Sequence, residues 1–92
     1  MVSAIILLNV EYAELNTIAE QLASEEGVAE VYSVAGKYDL FAHVRAASND
    51  ALARLVTERV ARMKGIRNCE TMIAFRVYSP KQLDAAFALG ED

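Results

Sequence analysis

The stretch that most constrains the fold is Glu30 to Arg45, EVYSVAGKYDLFAHVR, because its two halves have strand composition and its middle has turn composition. Val31, Tyr32 and Val34 on one side, and Leu40, Phe41 and Val44 on the other, are β-branched, aromatic or aliphatic. Gly36 interrupts them where the chain must reverse. The pattern predicts a hairpin with strands over Val28–Ala35 and Asp39–Arg45. Its loop, Gly36-Lys37-Tyr38-Asp39, concentrates polar chemistry: a glycine leaves backbone N–H groups approachable, and an ammonium, a phenol and a carboxylate follow within three residues. Such a loop can hold a small zwitterion. The plainer alternative is that Gly36 serves turn geometry and the charges are solvated.

The rest of the chain falls into place around the hairpin. Val2 to Val10, VSAIILLNV, is too continuously apolar for a strand with one wet face, so it is expected at the centre of a sheet with both faces covered. From Ala13 to Glu25, Leu15, Ile18, Ala19 and Leu22 have helical spacing, and Gly27 supplies the stop; no clear first cap is visible. A second helix starts at Ser48 or Asn49, which can cap it, with Asp50 in its first turn. Leu52, Leu55, Val56, Val60 and Met63 form its stripe, and Gly65 ends it. A last strand spans about Arg67 to Val77. Ser79-Pro80-Lys81-Gln82 then reads as a capping box opening a short helix that Gly90 closes.

This order is β-α-β-β-α-β plus a C-terminal helix, with a faint internal repeat at a spacing of 38 that matches Gly27 to Gly65 and Ile18 to Val56. The fold class is α+β: a ferredoxin-like sandwich, residues 1–79, with a four-stranded antiparallel sheet, two helices on one face, and residues 80–92 as helix and tail of the same domain. Leu40, Ala42 and Val44 should face the helices, which turns Asp39, Phe41, His43 and Arg45 the other way. That leaves an apolar sheet face bare, and the expected cover is a second copy packed sheet to sheet.

Composition narrows the function. At 92 residues the chain holds one domain, and a net charge of -4, with nine basic residues scattered among thirteen acidic ones, argues against direct nucleic-acid binding. Wholly apolar runs reach about five residues, too short to span a membrane, and no basic region precedes them to make a secretion signal. Cys69 is alone and fits a reducing cytoplasm, where the protein is expected. It reads as a small packed hydrophobe. The single histidine, His43, offers no pair or triad for a metal or a nucleophile, so neither a cofactor nor catalysis is expected.

The runs ILLNVE, EGVAEVYSVAGKYDLFAHVR and NDALARLVTERVARMKGIRNCETMIAF together resemble the effector-binding domain, or RAM domain, of the Lrp/AsnC transcriptional regulators, over about Ala4 to Tyr78. The most specific parts are the G-x-Y-D turn and the passage from Gly65 to Thr71. The resemblance implies the same topology, dimerisation through sheets with further assembly to tetramers or octamers, and amino-acid binding near the hairpin loop. It places Gly36, Lys37, Tyr38 and Asp39 in the turn, and Glu70 and Thr71 at the end of the Gly65 to Thr71 passage, as ligand-binding residues. The chain opens directly on the first strand, so it resembles the stand-alone form without the helix-turn-helix, and DNA binding is not implied. The expected role is an amino-acid sensor that modulates a regulatory protein partner. The rival from another class is a small dimeric α+β barrel enzyme of the cofactor-free monooxygenase type, with His43 as base. A plain oligomerisation domain is the third reading.

Overall fold

The computed structural model describes residues 1–78 and Pro80. Four strands, β1 (Val2–Val10), β2 (Val28–Ser33), β3 (Leu40–Ala46) and β4 (Ile66–Ile73), form one sheet in the order β2-β3-β1-β4. Every neighbouring pair is antiparallel. Helix α1 (Leu15–Ser24) follows β1 through a 3-10 turn at Tyr12–Glu14, and α2 (Asn49–Arg54) follows β3. This is the ferredoxin-like arrangement expected from the sequence. The helix expected after Ser79 lies outside the described residues.

Strict alternation builds the core. Ala4, Ile6, Leu8 and Val10 of β1 and Leu40, Ala42 and Val44 of β3 are buried against Ile18 and Leu22 of α1 and Leu52 of α2. Each fully buried Leu or Ile is worth about 1.5–3 kcal/mol relative to an exposed one. The intervening residues Ile5, Leu7, Phe41 and His43 are only half-buried, because none of the described residues lies over that side. The expectation that β1 is covered on both faces therefore holds for one face of the single chain.

Helix ends follow local chemistry. The Ser48 side chain accepts the Ala51 N–H at 3.1 Å and caps α2, whereas α1 has no side-chain cap. Beyond Arg54 the helix widens into a π turn, Leu55–Arg59, and tightens into a 3-10 turn, Val60–Arg62. A wide turn stacks residues five apart, which lets both Leu55 and Val60 reach the core. Gly65 ends this run at φ +98°; a Cβ there would lie 2.7 Å from the Glu14 side chain, and its carbonyl accepts the Glu11 N–H at 2.8 Å.

Two strand ends depart from expectation. β4 stops at Ile73 rather than Val77, because β1 begins at Val2 and the last bond available is Ala74 N–H to Ser3 O at 2.9 Å. β2 stops at Ser33 rather than Ala35, since the Val34 N–H turns to the Asp39 carbonyl at 3.0 Å and closes the loop.

Candidate functional site

The hairpin loop is tied down onto the C-terminal end of β1. The Asp39 N–H donates to the Leu8 carbonyl at 2.9 Å, and the Asn9 side-chain amide donates to the Lys37 carbonyl at 2.9 Å. At the same place β4 carries one residue more than β1: Asn9 faces Asn68, Val10 faces Ile66, and Arg67 is the extra residue. Such a bulge takes a backbone group out of the ladder and redirects a side chain. The Asp39 carboxylate accepts the Val10 N–H at 2.9 Å, next to the irregularity.

These residues enclose a cleft. Asn9, Val10, Tyr12, Asp39, Arg67 and Asn68 line a space of about 470 Å³, within the size range of small-molecule sites. It carries both signs of charge. Arg67 Nε stands 3.7 Å from Glu11 Oε1, an exposed pair that water screens, so a ligand carboxylate can replace Glu11 as its partner. Asp39 has one oxygen committed to Val10, and a carboxylate accepts at both.

The residues singled out in the sequence separate into three groups. Gly36 is exposed at φ +127° with no atom within 4 Å of where a Cβ would be, so its role is conformational rather than steric. The N–H groups of Gly36 and Lys37 take no part in the backbone bonds that close the loop. Tyr38 and Glu70 are brought together: the phenol donates to the Glu70 carboxylate, and this bond, with desolvation and the nearby negative charge, holds the Tyr38 pKa above its ordinary value. Thr71 goes elsewhere. Glu70 pairs with Leu7 on the open sheet face and Thr71 pairs with Ile6, so Thr71 points to the helix side, as Cys69, paired with Leu8, does. Asn9, Tyr12, Arg67 and Asn68 were not singled out in the sequence, since each falls at a strand end or turn where the bulge alone assigns its direction.

The open face has its own polar group. His43 Nδ1 lies 3.8 Å from Glu30 Oε1, and Tyr32 donates to Glu30 while its ring meets Phe41 edge-on at 5.6 Å. His43 lines neither the hairpin cleft nor the larger cleft between the helices. Among the described residues no three His, Cys, Asp or Glu side chains stand together as a metal site, and no helix is long and apolar enough to cross a membrane.

Residues 3–83 match the family described as the Lrp/AsnC ligand binding domain. The chain belongs to that family. An Lrp/AsnC domain is thus the unit carrying both the hairpin cleft and the open sheet. Among relatives, the HTH-type transcriptional regulator PF0250 of Pyrococcus furiosus is 40% identical over 58 residues, which are 63% of this chain and 39% of that protein. The chain therefore spans well under half the length of the curated relatives it matches. Among solved structures, TTHA0845 from Thermus thermophilus is 37% identical with a TM-score of 0.81, covering 86% of this chain and 99% of that one. E. coli AsnC is 25% identical with a TM-score of 0.77, covering 85% of this chain and 53% of that one. The fold here thus spans nearly all of the first of these solved chains and about half of the second.

Proposed function

We propose that this Lrp/AsnC domain is an oligomeric amino-acid sensor that acts in transcriptional regulation without touching DNA itself. The observation that carries the reading is the cleft beside the hairpin loop, where Arg67 and Asp39 line one space. Arg67 would take the ligand carboxylate and the second Asp39 oxygen its ammonium, both charge-assisted. Gly36 and Lys37 offer backbone N–H groups at the rim, and the Tyr38–Glu70 bond fixes the far side of the loop. Thr71 stands on the opposite face of β4, away from this cleft.

The open face supports association. Ile5, Leu7, Phe41, Tyr32 and Met72 lie on one side of adjoining strands, with Tyr32 and Met72 clearly exposed. A two-fold copy packed sheet to sheet would cover them and set the two hairpin loops at the rim of the interface. The setting would be the cytoplasm, with a regulatory protein as downstream partner and assembly to tetramer or octamer as in the resemblance.

The test is thermal unfolding of the purified protein with each of the twenty amino acids at millimolar concentration. A ligand at about 100 times its Kd adds about 2.7 kcal/mol, which moves the midpoint of a domain this size by several degrees. A shift with one or a few amino acids supports the sensor. Silence across the set contradicts it.

A further inference from the structure

Between the exit of α1, the end of β3 and the second helical run lies a cleft of about 850 Å³, of the size that small molecules occupy. It shares no residue with the cleft beside the hairpin loop. Its floor is apolar and small: Val44, Ala46 and Leu55 are buried there, with Ala47 and Ala51 beside them. Its walls are charged. Arg54, Glu58, Arg59 and Arg62 come from the helical run, and Glu25 and Glu26 from the exit of α1. Arg45 contributes backbone only, since strand alternation pairs it with Ser3 and turns its side chain to the open face. No aromatic ring is part of the lining.

The π turn sets how these charges meet. In an unbroken α-helix Glu58 would stand four residues from both Arg54 and Arg62 and neutralise them along one face. The turn at Leu55–Arg59 instead stacks residues five apart and brings Arg59 under Arg54, and Glu58 makes no ion pair among the described residues. Arg54 turns back to Asp50, outside the cleft, and commits one nitrogen. Arg59 answers Glu25 through Nε at 3.4 Å, and Arg62 has no ion-pair partner among the described residues. Most of the guanidinium donors are therefore unspent where three cations share one space. Like charges so placed repel unless an anion lies between them, and π turns are frequent at functional sites.

We infer that this cleft is a second ligand site, for the phosphate ester of a small polyol such as a sugar phosphate. Phosphate oxygens suit the N–H forks of Arg54 and Arg59, with Arg62 beside them. The carboxylates of Glu26 and Glu58 can only accept, so they call for several hydroxyl donors, which a polyol carries and a bare phosphate does not. The small apolar floor takes the C–H face of the polyol. With no ring to stack on, a nucleotide would gain nothing from its base.

The test is an amide NMR titration of the chain at fixed ionic strength with ribose 5-phosphate, glucose 6-phosphate, ribose and inorganic phosphate in turn. A sugar phosphate should give saturable shifts on Gly27, Ala47 and residues 54–62. Inorganic phosphate should bind about tenfold more weakly and ribose not at all, since the hydrogen bonds each lacks are worth about a factor of ten or more. Arg54→Gln/Arg62→Gln leaves the Arg59–Glu25 pair in place. It should weaken the sugar phosphate by about tenfold or more while keeping the dispersion of a folded spectrum and any amino-acid response of the hairpin loop. Inorganic phosphate binding as tightly as the esters, a response that the double variant retains, or no saturable shift with either sugar phosphate overturns the inference.

Discussion

Asp39 is hydrogen-bonded through its carboxylate to the backbone N–H of Val10, 29 residues away, at 2.9 Å. The residue expected to bind an ammonium is therefore also the acceptor that completes the backbone where the sheet is irregular. This double role decides how it should be substituted. Asp39→Ala removes the acceptor and strands a partly buried donor at a cost of about 1–3 kcal/mol. Asp39→Asn keeps a carbonyl for Val10 but discards the charge. We expect Asn to leave the unfolding midpoint within a few degrees of the parent while weakening the binding of a responding amino acid at least several-fold. Calorimetric titration beside thermal unfolding checks both halves.

The Tyr38–Glu70 bond carries a pH signature. Because the folded pKa of Tyr38 lies above the unfolded value of 10.0, its contribution to stability is fully present below that value and is lost as pH rises through the folded one. Tyr32, bonded to Glu30, behaves likewise. Phenolate absorbance should therefore show Tyr32 and Tyr38 titrating late. Glu70→Gln should move one of them earlier and leave the other in place.

On the open face, Phe41 sits centrally and meets Tyr32 at 5.6 Å. Phe41→Glu should abolish sheet-to-sheet association while preserving the far-UV circular dichroism spectrum, because the side chain points away from the core. Sedimentation velocity of the variant beside the parent reads this contact. An unchanged mass would remove the open face from the interface.

Gly65 has both a positive φ and no room. Gly65→Ala should cost on the order of 1–3 kcal/mol, since it strains the backbone and drives a Cβ into the Glu14 side chain. Chemical denaturation of the purified variant measures it. Gly36→Ala meets no neighbour, so its cost should be the conformational part only.

Much of this architecture was legible in the residues. The alternation of Leu40, Ala42 and Val44 with Phe41 and His43 assigned the two faces of β3, and the Gly27 and Gly65 repeat marked the two helix exits, because period and backbone handedness are local properties. The site was legible only in part. Glu70 and Thr71 are neighbours on a strand and cannot share a face, a conflict that period two already contained. Arg67 and Asn9 could not have been read, because a one-residue bulge between strands 56 or more positions apart gives them their direction, and no local pattern encodes it. The Asp39 bond to Val10 depends on that same bulge. The π turn in the second helical run was invisible as well, although Leu55 and Val60 are both apolar at the spacing it serves.

The most direct measurement is a backbone amide NMR titration with whichever amino acid raises the unfolding midpoint. Binding in the hairpin cleft predicts that the largest shifts fall on Gly36 to Asp39, on Asn9 and Val10, and on Arg67 and Asn68, with Thr71 little affected. Shifts concentrated instead on the helix layer, or spread over the open sheet face with the loop silent, would contradict the site.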